Sequence, residues 1–235
     1  MNTREYSKER FNNLTEWDEN KFNLKKVFRL IGKYCPQGNF RSLLDIGCAD
    51  GSFAMMIGTR YDYNLFGIDI CKKPIIEARK KGVMAITQNI EKEKLPYKNN
   101  TFNIIIMCEV LEHIFDTDFL IKEIYRVLKP NGYLFITVPN VASFTSRIKL
   151  LFGGYPNGVE YNVGKKTNGH IRAYTPNIIK KQLKNNGFKI IKCTSPNLLF
   201  PVKNNKIPMF IRDSMINLSD LTANLGEQIV GVFRK

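Results

Sequence analysis

The chain has 235 residues, 43% hydrophobic and 24% charged, the composition of an ordinary globular protein long enough to bury a core. Thirty-six Lys and Arg against twenty-one acids give a net charge of +15. The bases are spread along the chain without a block of like charges, so they read first as a generally basic surface. Their second meaning is attraction for nucleic acid, anionic headgroups or an acidic substrate. No apolar run approaches the roughly 20 residues that cross a bilayer, and the polar start is not expected to be a secretory signal or transit peptide. The five dispersed cysteines lack CxxC spacing, which predicts reduced thiols in a cytoplasmic protein and argues against a zinc site built on them.

In chain order, Asn20 to Tyr34 places Phe22, Leu24, Val27, Phe28, Leu30 and Ile31 at helical spacing. SLLDIG is a short buried strand, and SFAMMIGTRY continues as a helix. LFGIDI is a second strand, followed by a helix from Pro74 to Lys81 with the proline in its first turn. MAITQN and FNIIIMCEV are the third and fourth strands. TDFLIKEIYRVLK sets Leu120, Ile121, Ile124, Val127 and Leu128 on one helical face, and Pro130-Asn131-Gly132 stops it. YLFITVPN is a fifth strand. Thr175-Pro176 opens a helix that ends at Gly187, before the strand FKIIKCTS, and EQIVGVFRK is a seventh strand.

Strands alternating with helices predict an α/β fold with a mostly parallel sheet covered on both faces. A single domain over 1–235 is expected: an N-terminal helical segment (1–40), a core (41–140), and two substrate-side elaborations (141–172 and 196–225). The first elaboration follows the fifth strand and reads as a lid, because long loops at the carboxyl ends of strands build the ligand side of such sheets.

LLDIGCADGSF raises a specific question, since it packs the acids Asp45 and Asp50 and two glycines at the end of a buried strand. Gly47 and Gly51 allow a sharp turn whose amides face a ligand at a helix N-terminus. Asp69 closes the second strand 22 residues after Gly47 (69 − 47), the place of a carboxylate that accepts from ribose hydroxyls. A tight turn beside a solvated acid is the structural alternative. The chain lacks the G-x-G-x-x-G of a typical NAD enzyme.

With GIDI, LPYKNNTFNIIIMCEVLEHI and VLKPNGYLFITVPN added, the stretch from about Arg41 to Asn140 resembles class I S-adenosylmethionine-dependent methyltransferases of the type 11/23 kind. The resemblance implies a Rossmann-like seven-stranded, mostly parallel sheet with helices on both faces and an antiparallel last strand. It implies S-adenosylmethionine as cofactor and S-adenosylhomocysteine as product. By position, Asp45, Gly47, Cys48, Ala49 and Gly51 lie beside the methionine part. Asp69 holds the ribose, Ile70 lies on the adenine, Asn89 and Ile90 flank the adenine edge, and Cys108 reaches the sulfonium side. Ala49 stands where glycine is commoner, Asn89 where an acid is usual, and Asn103 where aspartate is common; none of these removes the cofactor site.

Two histidines are present in the whole chain. Glu109, Glu112 and His113 are spaced i, i+3, i+4, which on a helix stacks them on one face able to hold a divalent cation. His170 follows in GHIRAYTP and is the second candidate base or substrate-orienting group. The E-x-x-E-H run with a later histidine resembles two metal-using subsets, the small-RNA 3′-end 2′-O-methyltransferases and the ubiquinone-pathway O-methyltransferases. In the competing reading, His113 only packs or caps. The absence of [DN]-P-P-[YF] after the fourth strand argues against amino-group methylation of that type. The lid mixes Phe144, Leu150, Leu151, Phe152, Tyr155 and Tyr161 with Arg147 and Lys149, as an amphipathic helix over the sheet edge would. The expectation is O-methylation of a small molecule or glycan precursor. RNA 2′-O-methylation and a non-catalytic S-adenosylmethionine-binding protein are the alternatives, and a bound metal is a secondary expectation.

Overall fold

The computed structural model describes residues 22–35, 41–160, 169–196 and 224–235. In chain order the elements are α1 (Phe22–Tyr34), β1 (Arg41–Ile46), α2 (Ser52–Tyr61), β2 (Tyr63–Asp69), α3 (Lys72–Lys80), β3 (Met84–Thr87) and β4 (Phe102–Cys108). A 3₁₀ turn (Leu111–His113) follows, then α4 (Thr117–Val127), β5 (Leu128–Pro139), α5 (Phe144–Leu151), α6 (Pro176–Asn185), β6 (Lys189–Thr194) and β7 (Gln228–Arg234). The lid residue Tyr161 and nearly all of the second elaboration lie outside the described residues.

The seven strands run in the order β3-β2-β1-β4-β5-β7-β6. Strands β1 to β5 pair in parallel, and β7 runs against both of its neighbours. Successive residues of the central strands alternate between two apolar layers. Leu44, Ile46, Ile105 and Met107 pack in one core with α4 and α6 residues such as Leu120, Ile124 and Leu183. Leu43, Ile104 and Ile106 pack in the other with Val27, Ile31, Ala54, Ile57 and Ala78 of α1 to α3. A strand buried on both faces has no reason to alternate in polarity, which is why these strands read as unbroken apolar runs.

Strand order reverses between β1 and β4, and the carboxyl ends of β1, β2 and β4 converge there. Such a switch point opens a crevice for a ligand.

Several strand ends fall one or two residues short of the expectation, and three helix boundaries differ from it. Helix α3 starts at Lys72 rather than Pro74, keeping the proline in its first turn, and α6 ends at Asn185. Helix α4 stops at Val127: Leu128 is already extended and pairs with Phe102, so Pro130-Asn131-Gly132 lies inside β5 at an irregularity in its register. The reason is Arg126. Its guanidinium donates to the carbonyls of Leu95 (2.9 Å) and Tyr97 (2.7 Å), to Asn99 Oδ1 (3.0 Å), and to both carboxylate oxygens of Glu123 (2.9 and 2.7 Å). That cluster sews the segment before β4 onto the last turn of α4 and fixes where the helix hands over to β5.

Replacing Arg126 by Ala removes charge-assisted bonds from a partly buried cluster and should lower unfolding free energy by about 2 kcal/mol. Glu123 is held below its ordinary value of 4.5 chiefly by the hydrogen bond from Arg126, so this contribution is present above that pH and lost as the pH falls below it. Urea titrations of both proteins at neutral and acid pH check this, and equal midpoints at neutral pH would refute it.

Candidate active site at the carboxyl edge of the sheet

The turn after β1 is built by backbone. The amides of Gly47 and Cys48 donate to Ile68 O at 2.8 and 3.1 Å, and Gly51 N closes onto Cys48 O at 2.9 Å. Gly47 has φ +77°, and a Cβ there would lie 2.4 Å from Val110 Cγ2, so glycine is required both by conformation and by contact. Ala49 adopts φ 47°, which explains why glycine is commoner at this position: the left-handed conformation costs an alanine about 1 kcal/mol.

Asp69 holds this turn. Its Oδ2 accepts from Ala49 N at 3.0 Å and its Oδ1 from Cys71 N at 2.9 Å. Each oxygen keeps a second lone pair for an incoming donor. Burial raises its pKa, and the backbone donors oppose that shift. Asp45, at the end of β1, is 4% exposed and has no hydrogen-bond partner among the described residues. Burial, and then repulsion from Asp69, push its pKa up to about 8. An acid strained in this way is stabilised by any cation brought against it.

The other expected cofactor residues line the same edge. Ile70 follows Asp69 and is half-buried. Gln88 N donates to Asp69 O at 3.0 Å, which ties the loop after β3 to the end of β2. Asn89 Oδ1 accepts from Glu91 N at 3.1 Å and retains one lone pair, and Ile90 packs against the α4 core. Cys108 ends β4, and burial, followed by the nearby Asp45 and Glu109 charges, raises its thiol well above the ordinary value.

The second cluster corrects the helical expectation for Glu109, Glu112 and His113. Those residues lie on a loop and a single 3₁₀ turn, so i, i+3, i+4 stacking does not occur. Glu109, at φ 55°, turns to accept from Thr137 Oγ1 at 2.8 Å and is not part of the cluster. Glu112 and His113 are brought together with His170 from a segment 57 residues later (170 − 113). One ligand atom from each of the three lies within 4.8 Å of the others. Glu112 is fully buried, with Oε1 3.9 Å from His113 Nε2 and 3.8 Å from His170 Nε2. The rings lie 4.9 Å apart between centroids.

Backbone carbonyls select the tautomer. His113 Nδ1 is 3.0 Å from Gly169 O, and His170 Nδ1 is 3.1 Å from Gly158 O. A carbonyl only accepts, so each Nδ1 is the donor, which leaves the Nε2 of each ring facing Glu112. Ile171 N and Arg172 N donate to Glu112 O at 2.9 and 3.1 Å. The Arg172 guanidinium bonds the Ile114 and Phe115 carbonyls and lies 5.5 Å from the Phe115 ring centroid. The carbonyls of Gly158 and Gly169 and the Arg172 staple were not found from sequence. A carbonyl has no residue signature, and Arg172 looked like one more base among 36 Lys and Arg.

A methyltransferase-domain family model matches residues 17–192, three quarters of the chain. The ubiquinone biosynthesis O-methyltransferase of Pelagibacter ubique is 34% identical over 123 residues, covering 51% of this chain and 50% of that relative. The 27-O-demethylrifamycin SV methyltransferase of Amycolatopsis mediterranei is 30% identical over 141 residues, covering 54% and 52%. The chain thus spans about half the length of these curated relatives. A solved S-adenosylmethionine-dependent methyltransferase from Thermotoga maritima, described as a possible histamine N-methyltransferase, shares the fold at TM-score 0.62 and 20% identity, with 97% of each chain covered. Fold and edge define an α/β protein with a ligand crevice at the carboxyl side of its sheet. The chain belongs to the class I S-adenosylmethionine-dependent methyltransferases.

The crevice fits that cofactor chemically: Asp69 offers acceptors to a diol, and the strained Asp45 carboxylate suits a ligand carrying positive charge. Asp69→Ala should weaken S-adenosylmethionine binding at least tenfold by calorimetry, as expected for lost bonds to a buried carboxylate; unchanged affinity removes Asp69 from the ribose role. Because burial and Asp69 push its pKa up to about 8, Asp45 should take up a proton as the pH falls below that value, and a cationic ligand should favour its ionised form. Affinity should therefore rise as pH is raised toward 8, by up to about tenfold per unit, with proton release on binding. Asp45→Asn should flatten the profile, and a wild-type profile already flat from pH 6 to 8 would contradict the assignment.

Proposed function

We propose that the chain O-methylates a small-molecule acceptor whose hydroxyl is activated at Glu112, His113 and His170. The carrying observation is the convergence of the three ligand atoms at the edge that holds Asp45 and Asp69. S-Adenosylmethionine supplies the electrophilic methyl carbon, and transfer from it is an in-line displacement governed by positioning. Gly47 to Gly51 and Asp69 orient the donor. Glu112 Oε1 and the Nε2 atoms of His113 and His170 would hold a divalent cation, a donor set of two imidazoles and one carboxylate that suits such ions. A cation there lowers the pKa of a bound hydroxyl.

Curated relatives named as O-methyltransferases of ubiquinone and rifamycin biosynthesis support an oxygen acceptor. The net charge of +15 keeps the ribose 2′-hydroxyl of RNA as a second acceptor class, with a glycan precursor as a third small-molecule variant.

The test combines labelled methyl donor with metabolite and RNA fractions, with and without chelator. Chelation should abolish turnover and leave donor affinity unchanged, and Mn²⁺ should restore it. His170→Ala and Glu112→Gln should each reduce turnover by about 10²-fold or more, with donor affinity unaltered. Full turnover in chelator would remove the metal from this reading. Methylation confined to RNA would replace the acceptor class.

A further inference from the structure

The two carbonyls that orient the imidazoles come from different stretches of chain. Gly158 O accepts from His170 Nδ1 at 3.1 Å, and Gly169 O accepts from His113 Nδ1 at 3.0 Å. One side chain joins the two stretches. Glu160, two residues beyond Gly158, accepts through Oε2 from Gly169 N at 2.6 Å and from His170 N at 3.3 Å. A carboxylate oxygen has two lone pairs, so one atom serves both amides. The stretch leading to Glu160 is itself anchored. Asn157 N donates to Ser146 Oγ at 3.0 Å, and Asn157 Nδ2 donates to Glu227 Oε2, just before β7, at 3.1 Å. Gly158 has φ +74°, and a Cβ there would lie 2.9 Å from Pro139 Cβ, so its backbone is seated on the end of β5.

We infer that Glu160 is a positioning residue for both histidines, acting through the backbone amides of Gly169 and His170. It stands outside the group of three ligand atoms, which is formed by Glu112, His113 and His170. Its bonds keep the Gly169 carbonyl against one ring and the other ring against the Gly158 carbonyl. The two Nε2 atoms are thereby aimed at Glu112 Oε1, at 3.9 and 3.8 Å. Ile171 N and Arg172 N hold the same segment to Glu112 O on its other side. Loss of the Glu160 carboxylate therefore loosens the rings while the segment stays attached. Groups that fix a ligating imidazole from its far nitrogen change metal affinity by about 10–100-fold when removed.

The inference rests on the proposed role of the cluster, but its first readout is independent of metal and turnover. The chain has two histidines, so isotope labelling of histidine ring nitrogens should give one exchange-protected Nδ1–H signal from each. His113→Gln and His170→Gln assign them. Glu160→Asp keeps the charge and withdraws the oxygens by one methylene, and both signals should be lost to solvent exchange. Glu160→Gln keeps the reach and one accepting oxygen, and both signals should persist. Gly158→Ala should lose the His170 signal alone. Glu160→Asp should also bind Mn²⁺ about tenfold more weakly by calorimetry, with unchanged affinity for S-adenosylmethionine. Should Glu160→Asp misfold, Glu160→Gln and Gly158→Ala decide by the same signals. Both signals intact in Glu160→Asp, or both lost in Glu160→Gln, overturn the inference, as does a native chain with neither signal. A native chain that binds no Mn²⁺, with both signals present and lost in Glu160→Asp, removes the metal from the proposed reaction and sustains the role of Glu160.

Discussion

Two carboxylates at the ends of adjacent buried strands are the constraint around which this protein is arranged. Burial disfavours the charge of both, and Asp69 further disfavours that of Asp45. Asp69 is relieved by backbone amides, which simultaneously lock the glycine turn onto the second strand. Asp45 has no such relief among the described residues and is left dependent on what enters the crevice. A sheet edge that holds one satisfied and one unsatisfied acid is pre-set for a ligand with hydroxyls on one side and positive charge on the other.

The second centre follows the same logic with different groups. Glu112 is fully buried, and a buried carboxylate demands compensation. The Nε2 atoms of two imidazoles face it, each ring oriented by a carbonyl on its far nitrogen. Arg172 closes the arrangement by pinning the chain that carries His170 against the turn that carries Glu112. Carbonyl-fixed imidazoles around a carboxylate are what a cation site requires, and also what keeps two neutral bases aimed at one point.

Helix α5 shows how tertiary context overrides a pattern. Amphipathic spacing predicted a helix lying over the sheet edge, but its first turn is anchored by hydrogen bonds from Thr145 to Glu227 and from Asn157 to Ser146, and its last turn, from Arg147 on, stands exposed.

By itself the sequence determined the alternation of strands and helices, the unbroken apolar strands that imply two covered faces, and the glycine turn with Asp69 at its spacing. These are local consequences of side-chain period, backbone freedom and burial, each legible within about twenty residues. It also marked Glu112, His113 and His170, because two histidines in 235 residues are conspicuous. Only the tertiary structure decided that Glu109 turns away to Thr137, that α4 ends at Val127 under the pull of Arg126, and which nitrogen of each imidazole faces Glu112. Those outcomes rest on backbone carbonyls and on partners tens of residues away, groups that leave no trace in the order of side chains.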